Sequence, residues 1–147
     1  MTLGERLTED MKKALKASDK VRLSVIRMVR SSIRNAEIDQ HKTLSDEEVI
    51  DILNRELKQR RDSLEAFESA GRSDLVDVTK QEIAVLMDYF PQQMSVDELR
   101  HIIQSVIDRV GATGKADTGK VMSALIPQVR GKADGKHVNQ IVQQLLS

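Results

Sequence analysis

The chain of 147 residues has no cysteine and no tryptophan, two prolines, and only three aromatic side chains, Phe67, Tyr89 and Phe90. Without cysteine there is neither a disulfide nor thiol chemistry. Three rings cannot build the platform on which single-stranded RNA binders stack bases. The longest apolar run, Ile83 to Met87, is far too short to span a bilayer. Met1-Thr2-Leu3-Gly4-Glu5 opens no hydrophobic leader, so the sequence predicts no signal peptide, a soluble protein and a cytoplasmic location.

An excess of charge is lacking too: 23 Lys and Arg meet 23 Asp and Glu. The balance is uneven along the chain. Residues 1–40 carry nine basic against six acidic side chains, residues 41–91 seven against twelve, and residues 92–147 seven against five. No segment is a polybasic tail, so any nucleic-acid surface must be local. Catalytic patterns are missing as well. His41, His101 and His137 have no metal-ligand spacing, and there is no Walker A loop, GxGxxG or GxSxG elbow. No catalytic residue, metal or cofactor is predicted.

What is present is helical. Leu, Ile, Val, Glu, Lys and Gln dominate, and no stretch alternates like a strand. Leu3, Leu7, Met11, Ala14 and Leu15 follow helical spacing up to Ser18-Asp19, a cap signal. From Lys20 to about Glu37, Val25, Ile26, Val29, Ile33 and Ala36 share one side. Lys20, Arg27, Arg30 and Arg34, with Ser24 and Ser31, share the other. That basic stripe is either a solvated face or a secondary RNA contact. Ser45-x-x-Glu48 forms a capping box with a Leu44/Val49 staple and opens a helix to about Ala70, where Gly71 is the stop. Its pairs Asp51/Arg55, Glu56/Arg60 and Arg61/Glu65 read as helix support on outer faces. A helix at Asp74–Asp88 precedes Phe90-Pro91, the clearest boundary. Ser95-x-x-Glu98 is a second capping box, stapled by Met94 and Leu99, for a helix over 96–110 ending at Gly111. Two short helices follow, about 118–126, ended by Pro127, and about 136–146. The prediction is an all-α chain: a four-helix unit over 1–91 containing a long hairpin, then a three-helix unit over 95–147.

Gly114-Lys115-Ala116-Asp117 returns as Gly131-Lys132-Ala133-Asp134, each followed by a Gly-Lys pair, Gly119-Lys120 and Gly135-Lys136. Asp117 and Asp134 are expected to cap helices. Lysine in a first turn opposes the macrodipole, whereas an anion there is favoured. Each copy is therefore either a plain cap and turn or a phosphate site.

The segments Asp117-Thr118-Gly119-Lys120-Val121-Met122, Leu125-Ile126-Pro127 and Gly131-Lys132-Ala133-Asp134-Gly135 resemble the GatB/YqeY family signature. So do Ala70-Gly71-Arg72-Ser73-Asp74-Leu75 and Tyr89-Phe90-Pro91-Gln92-Gln93-Met94-Ser95. The resemblance covers essentially the whole chain. It implies an all-α fold related to the tail of the B subunit of the tRNA-dependent amidotransferase, a tail that holds tRNA near its elbow. It thereby implies tRNA as a partner, through backbone and elbow contacts, and an aminoacyl-tRNA synthetase or amidotransferase as a possible second one. Gly119, Lys120, Gly131, Asp134 and Gly135 match the motif. Lys115, Arg130, Lys132 and Lys136 join them from the local charge. A chain this short has no room for the amidotransferase's catalytic regions, so a non-catalytic tRNA-binding accessory protein is the leading expectation. A helical interaction module, and a carbon–nitrogen ligase role with glutamine as amido donor within a larger complex, are the alternatives.

Overall fold

A computed structural model describes all 147 residues: seven α-helices and one 3-10 turn, with no strand. The chain divides into two compact units, Met1–Phe90 and Pro91–Ser147. No helix is long and apolar enough to cross a membrane.

The first unit holds α1 (Leu3–Lys16), α2 (Lys20–Gln40), α3 (Asp46–Ser69) and α4 (Ser73–Met87). The starts of α1, α2 and α3 follow from side-chain caps that satisfy otherwise orphaned N–H groups, whereas α4 starts after Arg72 without one. Thr2 Oγ1 accepts from Glu5 N–H, and Asp19 Oδ1 from Arg22 N–H, each at 3.1 Å. The box at Ser45 is complete, with Ser45 and Glu48 each accepting the other's backbone N–H. α2 runs one turn beyond the expected Glu37 and stops where His41 turns left-handed, φ 53°. α3 ends at Ser69 with Ala70 as its cap, and Gly71 takes φ 68° as the stop. The apolar stripes converge on one core, with Leu7, Val25, Ile26, Val29, Val49, Leu53, Leu57, Val85, Leu86 and Tyr89 all buried. Each fully buried aliphatic side chain contributes roughly 1.5–3 kcal/mol. α2 packs on α3, yet the wider contact of α3 is with α4.

The Glu56/Arg60 pair is not on an outer face. Arg60 is buried, with Nη1 2.6 Å from Glu56 Oε2 and Nε 3.2 Å from Glu82 Oε2 on α4. Helical spacing alone cannot separate an exposed i,i+4 pair from one that a third helix covers, and α4 covers this one.

The second unit is built from α5 (Val96–Val110), a 3-10 turn (Lys115–Asp117), α6 (Thr118–Val129) and α7 (Gly135–Leu146). Ser95 Oγ accepts from Glu98 N–H at 3.1 Å, but the reciprocal bond that completes the box at Ser45 is not formed here. Gly111, at φ 70°, ends α5. Leu99, Ile103, Val106, Ile107, Val121, Leu125, Val129, Val138, Ile141, Val142 and Leu146 make its core. This unit contains no aromatic residue.

Pro127 does not end α6, which continues to Val129. Proline removes its own N–H bond to Ser123 and crowds that carbonyl. Leu125 and Val129, on either side of it, are both buried in the core. That packing carries the last turn through, and Arg130 N–H still donates to Ile126 O at 3.0 Å.

Candidate nucleic-acid interface

The two tetrads share a sequence but not a conformation. In the first copy, Lys115–Asp117 is a 3-10 turn that runs straight into α6. Asp117 therefore sits at φ −93°, ψ 6°, and makes no forward side-chain cap. The extended geometry that aims a cap's oxygen at the N2 or N3 amide is missing. Its carboxylate reaches back instead, accepting from Thr113 N–H at 2.9 Å. That bond holds it below the usual carboxylate range, and the charge of Lys120 adds to the effect. The expectation that Asp117 caps α6 is thus corrected.

The second copy behaves as expected at Asp134, whose Oδ1 accepts from Lys136 N–H at 3.1 Å. Gly131 differs from its counterpart. It is buried at φ 75°, and its carbonyl accepts from Gln93 Nε2 at 2.8 Å. Met94 N–H donates to Lys132 O at 2.9 Å, so the approach to α5 braces this loop. Gly131 serves the left-handed turn and is buried. Arg130 is half-buried and, like Asp134, is already engaged within the protein.

Lys115, Lys120, Lys132 and Lys136 remain exposed, and none has a carboxylate within 4.0 Å. Lys120 lies in the first turn of α6 and Lys136 in that of α7, and neither helix contains an acidic residue. Each N-terminus carries a partial positive charge of roughly half a unit, to which its lysine adds and which, at α7, the Asp134 carboxylate partly offsets. Gly119 and Gly135 are exposed inside these first turns, with nothing within 4 Å of where a Cβ would stand. The fold demands glycine at neither position. His137, next to Lys136, is exposed as well.

α6 and α7 are antiparallel. Gln143 Nε2, near the end of α7, donates to Thr118 Oγ1 at the start of α6 at 3.1 Å. Thr118 Oγ1 in turn donates to Lys115 O at 2.6 Å. Lys115, Gly119 and Lys120 therefore lie at one end of this helix pair. Lys132, Gly135 and Lys136 lie at the other, about 18 Å away for a helix of 12 residues. The copies lie 17 residues apart in sequence, and the fold places them at opposite ends of the helix pair. Thr113 and Gln143, which help Thr118 tie down the first end, carry no motif signal. The cations Lys20, Arg27, Arg30 and Arg34 lie on α2 in the other unit.

A family model described as Yqey-like protein matches residues 4–146. This chain belongs to the YqeY-like family. A protein of Pyrenophora tritici-repentis named altered inheritance of mitochondria protein 41, mitochondrial, is 26% identical over 144 residues, 96% of this chain and 79% of that protein. Its namesake in Saccharomyces cerevisiae is 33% identical over 132 residues, 88% of this chain and 69% of the relative. The one in Lachancea thermotolerans is 40% identical over 87 residues, 58% of this chain and 46% of the relative. Against the Lachancea protein the match thus spans under half of the relative's length. These names overturn the expectation of a cytoplasmic location, since each relative is called mitochondrial. That expectation rested on the lack of a secretory leader, which does not distinguish one internal compartment from another.

Proposed function

We propose that this YqeY-like protein is a non-catalytic tRNA-binding accessory protein that grips the phosphate backbone of a folded RNA through its C-terminal unit. The observation that carries this reading is the pair of exposed first-turn lysines, Lys120 and Lys136, at opposite ends of α6 and α7, neither of them ion-paired. A small anion would be served by one such end. Two ends about 18 Å apart suit an extended polyanion, whose phosphates position the protein without reading bases. With no aromatic in this unit, unpaired bases have nothing to stack on, so shape and backbone must be what is recognised. Acidic side chains elsewhere are committed to caps and ion pairs, among them Asp19, Glu48, Glu56, Glu82 and Asp88. That favours a partner of a tRNA enzyme, a synthetase or an amidotransferase, over an enzyme in its own right.

Competition tests the reading. Labelled tRNA bound to the full chain should be displaced by unlabelled folded tRNA at a concentration at least about tenfold below that needed of an unstructured RNA of equal length. Equal displacement by the two would contradict it.

A further inference from the structure

α2 carries five basic side chains, and only Arg22 finds acids, with Nη2 2.9 Å from Asp88 Oδ2 and Nε 3.6 Å from Asp19 Oδ2. Lys20, Arg27 and Arg34 are exposed, and no carboxylate lies within 4.0 Å of any of them. Arg30 leans onto α1, with Nη1 2.9 Å from Met11 Sδ, and also meets no carboxylate. It has thus left the stripe for the flank. Seven-residue intervals set Lys20, Arg27 and Arg34 in one row about 21 Å long. The exposed hydroxyls of Ser24 and Ser31 fall between them.

This arrangement works against the helix. Arg27 and Arg30 are three residues apart, and Arg30 and Arg34 four, so like charges are neighbours and destabilise it. The acids of α2 do not relieve the repulsion by pairing: Glu37, three residues after Arg34, accepts from Leu44 N–H instead. The chemistry of the row limits what can cover it. Val25, Ile26 and Val29 are buried in the unit's own core, and the exposed Met28 and Ile38 are isolated, so α2 presents no continuous apolar face to insert among lipids. The row holds no ring on which a base could stack. What it offers is cations and hydroxyls spaced along a straight line.

We infer that α2 is a second phosphate-binding face, which lies along the backbone of base-paired RNA through Lys20, Arg27 and Arg34, with Arg30 on its flank. This rests on the reading of the chain as an RNA binder, but it uses other residues in the other unit. The full chain would be titrated with labelled tRNA, and separately with an RNA hairpin, across a salt series. The Lys20→Gln/Arg27→Gln/Arg34→Gln variant would be compared with Lys120→Glu/Lys136→Glu and the wild type. All three side chains are exposed, so the triple variant should keep its helical circular dichroism and an unchanged or higher midpoint of thermal unfolding. Its log–log salt slope should become shallower by about 2, with affinity down about tenfold or more at low salt. If the wild type binds and the triple variant matches it in affinity and slope, the inference fails while the C-terminal reading stands. A triple variant that loses binding beside an unaffected Lys120→Glu/Lys136→Glu variant would support α2 and sink the C-terminal reading. No RNA binding by the wild type at low salt would overturn both. Phosphatidylserine vesicles that bind the wild type but not the triple variant, with RNA affinity unchanged, would reassign the face to an anionic membrane.

Discussion

Arg60 shows what a single residue decides in this protein. Its guanidinium is shared by Glu56 and Glu82, while Ser32 Oγ donates to Glu56 Oε1 at 3.4 Å, so one cation ties together α2, α3 and α4. Removing one member of a buried pair leaves the others unpaired in a poor solvent for charge. Arg60→Ala should therefore cost about 3 kcal/mol, read as a fall in the urea midpoint at constant slope. Tyr89 is a second buried polar link, its hydroxyl donating to Asp10 Oδ2 at 2.6 Å beneath the Arg6 guanidinium. Burial, and then that carboxylate, push its phenol above the ordinary value. Glu48 behaves oppositely. The Lys42 ammonium, and then the Ser45 N–H, bring its carboxyl down to about 2. A depressed folded value means that the ionised cap stabilises α3 fully above the unfolded value near 4.3 and loses that effect as pH falls toward 2. Protection factors of the amides at the start of α3, with the intrinsic pH dependence of exchange divided out, should fall over that window in the wild type, and Glu48→Gln should flatten the dependence.

Element by element, starts were more legible than contacts. Ser45, Ser95 and Asp134 act as the caps their sequence context predicts, and Gly71 and Gly111 end helices in the left-handed conformation. Caps are local chemistry, so local sequence reveals them. Pro127 and Asp117 escaped the same logic. Core packing on both sides of Pro127 outweighs its propensity, and the 3-10 turn before α6 rotates Asp117 away from capping geometry. The glycines separate in the same way. A methyl at Gly119 would meet nothing, so Gly119→Ala should stabilise the protein by about 0.5–1 kcal/mol and yet weaken tRNA binding if close approach is its purpose. Gly131→Ala, left-handed and buried, should cost about 1–2 kcal/mol. Thermal unfolding of the two variants checks both signs.

At the scale of the whole molecule, the charge balances only in sum, with 16 basic against 18 acidic side chains in the first unit and 7 against 5 in the second. The family and the all-α class were legible because the motifs run through nearly the whole chain. The candidate lysines were legible too, through a repeat that places cations where helices begin. Their distribution in space was not. A repeat in sequence carries no information on direction, and only the antiparallel packing of α6 and α7, fastened by Gln143 and Thr118, sends its copies to opposite ends. The two-ended contact can be measured by fluorescence anisotropy of labelled tRNA across a salt series. Lys120→Glu and Lys136→Glu would be made singly and together, with folding confirmed by circular dichroism. Each single variant should weaken binding and lower the log–log slope by about 0.7–0.9, and the double variant should lower it by about twice that. Equal affinity and slope for the wild type and the double variant would contradict the account and leave both tetrads as structural turns.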